Sequence, residues 1–370
     1  MLAWWVDQPG PMNTRPMVKG VRETPEPGPN ELLVDVKVCG VCRTDLHLAE
    51  GDLQPRRPAV IPGHEAVGTV VASGPGSSRF APGDRVGVAW LGGVCGTCPY
   101  CRRGDENLCA APVLTGWDKD GGYAEQLTVS QDFAYLIPEA FTDEQAAPLL
   151  CSGIIGYRSL KRANVPSGGR LGIYGFGSSA HLTAQMAIYQ GASVYVMTRS
   201  EEARALARKL GAEYVGDAYD EPPVPLDSAI LCDIPPLNYN AHLFYERQVR
   251  SVTANTRADG REFLALAAQI PLAPSISVYP FDAADTALAD LAADRVTGSA
   301  VLRVRPSGST GQGLGSKSLQ FQRRLPRRRY LLCPDFTRQP LRGGRGVDFR
   351  CLHVFIASLP SITMPPWKLR

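Results

Sequence analysis

Alternation of apolar and polar residues dominates the first 140 positions of the chain. The run ELLVDVKVC, from Glu31 to Cys39, alternates and is rich in β-branched side chains, which predicts a half-buried strand. Similar runs follow as AVGTVVA, GDRVGVAWL and GYAEQLTV, each bounded by glycine or proline turns. The N-terminal part is therefore predicted to be a β-rich domain.

The pattern changes at Thr142, where TDEQAAPLLCSGIIGYRSLKRA begins with a capping-type threonine and continues at helical spacing. The next segment, RLGIYGFGSSAHLTAQMAIYQGASVYVMTRS, predicts strand, glycine turn, helix, turn and strand. A further helix, EEARALARKLGA, and a strand, PLDSAIL, come after it. Alternation of this kind predicts an α/β fold class, with a doubly wound parallel sheet following the β-rich domain.

The glycine turn in that segment contains Gly175, Gly177 and Ala180, between a predicted strand and a predicted helix. Glycines let backbone N–H groups approach a pyrophosphate, and the helix dipole favours its negative charge. This context predicts dinucleotide binding, with an empty tight turn as the alternative. The next strand leads into Thr198 and Arg199, where an NAD site would offer a carboxylate to the ribose. NADP(H) is therefore favoured over NAD(H).

Four cysteines within sixteen residues form the densest set of potential metal ligands, and they are Cys95, Cys98, Cys101 and Cys109. A disulfide framework is the weakest explanation, because the start of the chain lacks a secretory signal and ten cysteines are few for 370 residues. Two CxxC steps and a fourth cysteine fit four thiolates around one tetrahedral zinc ion, which leaves no open catalytic position. A structural zinc lobe at residues 92–112 is predicted, with a redox CxxC as the alternative.

Three other potential metal ligands are scattered along the chain. Cys42 lies just after the first predicted strand, His64 lies in PGHEA, and Cys151 lies in the helical connector. Each alone also fits a buried free thiol or a surface imidazole. Together, two thiolates and an imidazole leave a fourth metal position open, which predicts a catalytic zinc site.

These motifs carry a resemblance to a known family. CGVCRTDLH, PGHEAVGTV, the four-cysteine lobe, LLCSGIIGY and the glycine turn occur in the order seen in zinc-dependent medium-chain alcohol dehydrogenases, over about residues 20–305. The resemblance implies a GroES-like catalytic domain (1–150), a Rossmann domain (151–254) and a return to the catalytic domain (255–305). It also implies a homo-oligomer, either a dimer or a tetramer.

The resemblance implies two zinc ions per chain and roles for individual residues. Cys42, His64 and Cys151 correspond to the catalytic zinc ligands of the family, a Cys₂His set known from alcohol dehydrogenases. Glu65 corresponds to a carboxylate behind these ligands or to an exchanging ligand. The four lobe cysteines correspond to the structural zinc ligands.

The same resemblance implies the chemistry, which is interconversion of a primary or secondary alcohol and its aldehyde or ketone by hydride transfer with NAD(P)(H). The catalytic zinc stabilises the alkoxide, Thr44 takes the alcohol proton, and His47 passes it towards solvent. Trp90 resembles a pocket-lining aromatic residue, with simple core packing as the alternative. Arg257 matches a position that contacts the cofactor pyrophosphate in relatives.

The chain departs from the family after Leu231. Relatives continue through another helix and strand of the Rossmann unit, roughly thirty residues that are absent here. One hypothesis is that NYNAHLFYERQ forms a crossover that brings Val249 to Ala254 beside the fourth strand. The sheet is then shortened and nicotinamide binding is weakened. The alternative function is a non-catalytic or disabled zinc-binding member of the same fold.

Charge is distributed unevenly along the chain. The formal net charge is +3, but residues 306–370 carry +10, which leaves −7 for residues 1–305. An acidic body makes nucleic-acid binding unlikely. Residues 306–370 lack periodicity and are predicted to be a disordered basic tail, which is either a coding artefact or an arm that binds acidic partners. No apolar run is long enough to span a membrane, so a cytoplasmic location is expected. The resemblance implies a small-molecule alcohol or aldehyde as the substrate.

Overall fold

The computed structural model describes residues 1–231 and 248–305, together with the backbone of the strand Cys351–Val354. Strands dominate the first 140 residues, as the alternating pattern predicts. They are β1 Leu2–Val6, β2 Met17–Val21, β3 Glu31–Val41, β4 Ala66–Ser73, β5 Arg85–Val88, β6 Leu91–Gly93, β7 Val113–Leu114, β8 Gln126–Ser130 and β9 Ala134–Leu136. Two short helices, α1 (Arg43–Glu50) and α2 (Pro99–Arg102), interrupt them.

The second part alternates helices and strands from Thr142 onwards. Its helices are α3 Asp143–Ala146, α4 Ser152–Ala163, α5 Ser178–Tyr189 and α6 Glu201–Lys209, and its strands are β10 Arg170–Tyr174, β11 Ser193–Met197, β12 Tyr214–Gly216 and β13 Ser228–Leu231. All pairings among these strands are parallel. The doubly wound, parallel α/β arrangement predicted from the sequence is confirmed.

A third stretch returns the chain to the N-terminal sheet. It contains α7 Arg257–Ala267, β14 Ile276–Pro280, α8 Ala284–Ala292 and β15 Ser299–Arg303. Strand β15 pairs antiparallel with β3 and parallel with β14. The resulting seven-stranded sheet has the order β14-β15-β3-β4-β5-β9, and β8 also pairs with β3.

The connector between the two parts is not one continuous helix. Thr142 forms the expected capping box with Gln145, but α3 ends after one turn and continues as a 3₁₀ turn over Ala147–Leu150. Cys151 then adopts φ −124° and ψ −72°, outside the helical region, before α4 begins. Cys151 therefore lies at a break between two helical segments and belongs to neither of them.

Two clusters of buried apolar side chains hold the elements together. One fills the N-terminal sheet and includes Leu32, Leu91 and Leu127. The other lies around the parallel sheet and contains Leu171 and Ile173. The second cluster also contains residues of the N-terminal and returning segments, namely Val38, Val67, Tyr135 and Val301. The two sheets therefore share buried surface rather than being joined only by a linker.

The strand beside β13 is not the one expected. Val249–Ala254 forms no strand, so the hypothesis that it pairs beside the fourth strand is wrong, and most of the proposed crossover helix lies outside the described residues. Strand β16, Cys351–Val354, pairs in parallel with β13 instead. The five-stranded order is β12-β11-β10-β13-β16. A four-residue part of the tail thus has regular structure, which its lack of periodicity did not predict.

The remainder of the tail, 306–350 and 355–370, lies outside the described residues, so the disorder expected there stays a prediction. Among the helices that the structure describes, none is both long and apolar enough to cross a membrane.

Candidate functional site

The cysteine-rich lobe lies between β6 and β7 and has the geometry of a four-thiolate metal site. The ligand atoms of Cys95, Cys98, Cys101 and Cys109 lie within 4.8 Å of one another. The Sγ–Sγ distances are 3.5 Å for Cys98–Cys101, 3.6 Å for Cys95–Cys109 and 3.9 Å for Cys95–Cys101. Four sulfurs about 2.3 Å from one zinc ion stand about 3.8 Å apart in a tetrahedron. The donor set therefore fits zinc, and all four cysteines are free thiols.

Backbone N–H groups converge on the sulfurs of this lobe. Cys98 N–H donates to Cys95 Sγ at 3.4 Å, and Cys101 N–H donates to Cys98 Sγ at 3.5 Å. Cys109 Sγ accepts from the backbone N–H of Cys95 and of Ala111. Donors of this kind favour thiolates, and those from Thr97 and Cys98 lower the pKa of Cys95 to about 6. The thiolate, the form of cysteine that binds metal, is thus favoured at Cys95, whereas burial and the hydrogen bonds with Cys109 and Cys98 raise the pKa of Cys101 to about 12.

A second cluster combines four residues that the sequence placed far apart. Cys42 precedes α1, His64 and Glu65 precede β4, and Cys151 lies at the break before α4. Their ligand atoms all lie within 4.8 Å of one another, and the two sulfurs are 4.0 Å apart. Two thiolates, an imidazole and a carboxylate form a donor set that fits zinc.

Asp45 organises this cluster, and the sequence analysis missed it. Its carboxylate faces His64 Nδ1 at 3.2 Å and accepts the backbone N–H groups of Gly63 at 3.0 Å and Cys42 at 2.9 Å. A carboxylate on Nδ1 fixes the imidazole ring and leaves Nε2 to bind a metal. The available signal was the position of Asp45 three residues after Cys42, where it completes a capping box at the start of α1.

Glu65 is buried behind the cluster, and its space depends on a glycine. A Cβ atom added to Gly40 would lie 2.0 Å from Glu65 Oε2, so no larger residue fits at that point of β3. Burial raises the pKa of Glu65 well above its usual value, with the nearby Cys42 sulfur adding to the effect. Both observations show that Glu65 is enclosed with the cluster rather than exposed to solvent.

The two residues expected to carry a proton lie on α1. Thr44 is half-buried, and its hydroxyl lies 3.7 Å from Cys42 Sγ. His47 lies one turn later, with Nδ1 2.9 Å from the exposed carboxylate of Asp52 and 20% of its side chain exposed. Within the described chain, Thr44 and His47 make no direct hydrogen bond. The structure therefore places one group at the cluster and the other at the solvent boundary.

Two tryptophan rings stack on each other next to His64, and one of them contacts its imidazole. The Trp90 ring meets the His64 imidazole edge to face, with 4.9 Å between ring centroids. Trp117 stacks on Trp90 at 5.9 Å and an interplanar angle of 15°, and Arg56 covers the Trp117 ring. Trp90 thus lies at the candidate site as expected. Trp117 was missed, because nothing in its local sequence brings it near PGHEA.

The glycine turn has the conformation that dinucleotide binding requires. Gly175 has φ +87°, and its N–H donates to the carbonyl oxygen of Met197 at the end of β11. Gly177 precedes α5 without a side-chain cap, and a Cβ built there would meet no atom within 4 Å. Ala180 is buried one turn later. The start of α5 has no side-chain cap, so its first N–H groups are available to an anion.

The end of β11 offers one exposed cation. Thr198 is buried, and its N–H donates to the carbonyl oxygen of Gly216, whereas Arg199 is exposed. The hydroxyl of Ser200 caps α6 by accepting the N–H of Ala203. Ser200 is therefore engaged with its own helix, and Arg199 remains the exposed group available to a 2′-phosphate.

Arg257 forms an ion pair with the cysteine-rich lobe. Glu106 of the cysteine-rich lobe accepts its backbone N–H at 3.0 Å and its Nε–H at 2.9 Å, and also bonds to Nη2. Asn107 donates to the carbonyl oxygen of Thr253 beside it. The guanidinium is thus neutralised by a carboxylate of the lobe, because α7 begins against that lobe. Its contact with the cofactor pyrophosphate stays a prediction from the resemblance.

We expect Glu106→Gln to lower the free energy of unfolding by about 1–3 kcal/mol at pH 7, since it weakens three hydrogen bonds at once. Burial opposes ionisation of Glu106, but the hydrogen bonds and charge of Arg257 outweigh it, so the pKa is lowered. The ion pair therefore stabilises the fold above the unfolded carboxyl pKa of about 4.3 and is lost as pH falls through the folded pKa. Urea unfolding at several pH values measures both effects.

Glu144→Gln is the matched control, since Glu144 also pairs side by side with an arginine, Arg303, but accepts no backbone N–H from it. Its expected cost is below about 1 kcal/mol. If both variants lose the same free energy of unfolding, the ion pair of Glu106 with Arg257 has no special role in joining the lobe to α7.

Comparison with known proteins identifies the family. Residues 28–139 match the alcohol dehydrogenase GroES-like domain family. The chain is 52% identical to the probable alcohol dehydrogenase AdhA of Mycobacterium tuberculosis over 337 residues, covering 82% of this chain and 97% of that protein. An alcohol dehydrogenase of Geobacillus stearothermophilus is 42% identical over 195 residues, and the chain covers only 58% of its length. This chain therefore spans little more than half of some curated relatives.

Solved structures of dehydrogenases share the fold. A cinnamyl alcohol dehydrogenase of Sorghum bicolor superposes with a TM-score of 0.73 at 26% identity, covering 85% of this chain and all of that one. A cobalt- and zinc-bound alcohol dehydrogenase of Pyrobaculum aerophilum gives a TM-score of 0.72 at 23% identity, covering 82% of this chain and 100% of that one. The chain belongs to the medium-chain alcohol dehydrogenase family, in which GroES-like and Rossmann domains are combined.

Its curated relatives and its structural neighbours include named alcohol dehydrogenases. The alignment to the Mycobacterium protein also bears on the departure after Leu231. The alignment is 337 residues long, which is roughly thirty more than 82% of this 370-residue chain. About thirty positions of the relative therefore have no counterpart here. This matches the size of the segment that the sequence analysis found to be absent.

Proposed function

We propose that this protein is a zinc-dependent aldehyde reductase that uses NADPH and runs in reverse as an alcohol dehydrogenase. The observation that carries the proposal is the convergence of Cys42, His64, Glu65 and Cys151 within 4.8 Å, beside the Trp90 ring. Three of these donors suffice for a zinc ion, which leaves one position for the substrate oxygen.

Some residues of the cluster would bind the metal directly, and others would orient or support these ligands. When bound, zinc supplies Lewis acidity that lowers the pKa of an alcohol oxygen and polarises a carbonyl. Cys42, His64 and Cys151 hold it, and Asp45 keeps the imidazole in one orientation through Nδ1. Glu65 lies behind the ligands as a buried carboxylate, either steadying the charge of the site or exchanging with the substrate.

Proton transfer is assigned to α1. The Thr44 hydroxyl lies next to Cys42 Sγ and accepts the alcohol proton during oxidation. His47 lies near the solvent boundary, and Asp52 at Nδ1 leaves Nε2 free to pass the proton on. The two side chains make no direct hydrogen bond in the described structure, so Thr44 would pass on its own proton as it receives that of the alcohol, and a further hydroxyl group would have to join it to His47.

Cofactor binding is assigned to the glycine turn and the end of β11. The open first turn of α5 receives the pyrophosphate, and Thr198 and Arg199 lie where the ribose is expected. Structural neighbours do not decide the cofactor. One of Helicobacter pylori is described as complexed with NADP(H) and one of Geotrichum candidum as complexed with NAD. The NADP(H) preference therefore depends on Arg199 and on Thr198 at the position where an NAD site would offer a carboxylate.

Arg199→Ala is expected to raise the KM for NADPH about tenfold and to change the KM for NADH less than threefold, since only NADPH carries the 2′-phosphate that the guanidinium contacts. Steady-state kinetics with both cofactors and one aldehyde measure the two values. Arg208→Ala serves as the control, because Arg208 is an exposed arginine of α6 paired with Glu201. Parallel changes for the two cofactors would contradict the assignment.

The second candidate function is a zinc-binding member of the family without catalysis, and the segment absent after Leu231 favours it. The deciding experiment is oxidation of NADPH by the zinc-loaded chain with aliphatic and aromatic aldehydes, repeated with NADH and after chelation. Turnover that chelation abolishes supports the enzyme. No turnover with two zinc ions per chain supports the disabled protein. A micromolar dissociation constant for NADPH would contradict the hypothesis of weakened nicotinamide binding.

The oligomeric state and the cytoplasmic location stay predictions from the sequence.

A further inference from the structure

Three serine hydroxyls meet where the candidate cofactor and metal sites come together. Ser178, the first residue of α5, donates to Ser152 Oγ at 2.6 Å. Its oxygen also bonds to Ser299 Oγ, and because a hydroxyl has one hydrogen, Ser299 is the donor there. Ser152 and Ser299 are 5% and 3% exposed. The hydroxyls thus form a short chain that is almost closed to solvent.

Each serine belongs to a different part of the site. Ser178 follows Gly177 in the glycine turn, Ser152 follows Cys151 directly, and Ser299 begins β15 of the catalytic sheet. Cys151 lies at the break between two helical segments, so its position depends on how the start of α4 is held. The hydrogen bond from Ser178 is a side-chain link between the candidate pyrophosphate turn and the residue after a metal ligand.

Helices α4 and α5 are also packed closely behind these serines. A Cβ atom on Gly156 would lie 2.4 Å from Thr183 Oγ1, so the two helices approach at the distance that only glycine permits. The Thr183 hydroxyl bonds to the carbonyl oxygen of Ser179 within α5. A displacement at the start of α5 is therefore passed to α4 rather than absorbed between them.

The opposite side of α5 is tied to the returning segment. His181 Nε2 accepts the backbone N–H of Ser275 at 3.1 Å, and Gln185 both donates to and accepts from the backbone of Ala273. Burial lowers the pKa of His181 to about 4, so the ring is neutral and can accept this bond. Ser275 in turn accepts the N–H of Ser299. Helix α5 is thus held on both sides near its start.

We infer that Ser178 is a positioning residue that couples cofactor binding at the glycine turn to the placement of Cys151 through its hydrogen bond to Ser152. Its backbone N–H belongs to the open first turn of α5, while its hydroxyl holds the start of α4. An anion bound at that turn therefore changes the position of Ser178 and, through it, of the neighbouring metal ligand. The inference rests on the proposed function.

The test compares wild type with Ser178→Ala after cobalt(II) has replaced zinc at the Cys42, His64 and Cys151 site. The visible absorption of cobalt reports ligand geometry, and quenching of protein fluorescence reports the dissociation constant of NADPH. Wild type is expected to change its cobalt spectrum on saturation with NADPH. Ser178→Ala is expected to lose more than half of this change, with a dissociation constant altered less than threefold.

Further variants keep the test decisive. Ser152→Ala removes the same hydrogen bond from the other side, so it should show the same loss, and the double variant should add little to it. Ser159→Ala is the matched control, because Ser159 is a buried serine of α4 whose hydroxyl bonds only within its helix. It should respond as wild type does.

The outcomes separate the inference from the proposed function. If wild type binds neither cobalt at this site nor NADPH, the proposed function fails, and the coupling fails with it. If wild type binds both but its spectrum does not respond, or if Ser178→Ala and Ser152→Ala respond fully, the inference is overturned while the proposed function stands. Loss of the response in both variants but not in Ser159→Ala supports the coupling.

Discussion

Cys151→Ser is expected to lower kcat/KM for aldehyde reduction by about 10³-fold and to reduce bound zinc from two ions per chain to one. The removed thiolate is one of three protein donors at the candidate catalytic metal, and Lewis-acid stabilisation of the reacting oxygen contributes several kcal/mol to catalysis. Metal analysis of the purified variant and steady-state kinetics measure the two effects, and circular dichroism checks that the fold is retained.

Cys39→Ala is the matched control for this prediction. Cys39 lies on β3 and is fully buried, but it is not one of the four residues whose ligand atoms converge at the candidate catalytic metal. It should keep both zinc ions and most of the activity. Retention of two zinc ions by Cys151→Ser with unchanged kinetics would show that the cluster is not the catalytic centre.

Cys98→Ser is expected to remove the metal of the cysteine-rich lobe and to lower the midpoint of thermal unfolding by about 10 °C. The lobe has little apolar burial of its own, since Tyr100 and Leu108 are both exposed. A four-thiolate metal would therefore supply most of its folding free energy. Differential scanning calorimetry and metal content, each measured with and without added zinc, test the prediction.

Tyr100→Ala is the control within the same lobe, because its side chain is exposed and provides no donor atom for the metal. It should keep its zinc and unfold within about 2 °C of wild type. Because Glu106 of the lobe pairs with Arg257 of α7, loss of the lobe metal should also loosen the start of α7. If Cys98→Ser unfolds at the wild-type temperature with one zinc ion bound, the lobe does not depend on metal.

Local patterns were sufficient for much of the fold. Period-two alternation identified the N-terminal strands, and the glycine turn after a strand identified the start of the parallel sheet, because both signals arise from backbone geometry within a few residues. The pattern was less informative at Cys151, where a helical spacing continues through a break. It was wrong at Val249–Ala254, because strand pairing depends on partners that are distant in sequence.

The same limit applied to individual residues of the site. Asp45 and Trp117 were missed, since each acts on His64 only through contacts formed in the folded chain. Arg257 was expected at the pyrophosphate, yet its partner is Glu106, which is 151 positions earlier in the sequence. Ion pairs between distant residues follow from how domains pack, and one sequence does not record that packing.

The sequence by itself determined the types and spacing of the donors: four cysteines in one short loop, two thiolates and an imidazole elsewhere, and a glycine turn after a strand. These properties are local, or follow from the chemistry of the side chains. Only the tertiary structure decided that Cys42, His64, Glu65 and Cys151 meet at one point, and that Ser178 joins that point to the glycine turn. Side chains from separate elements converge only when long-range burial and strand pairing fix the elements in space.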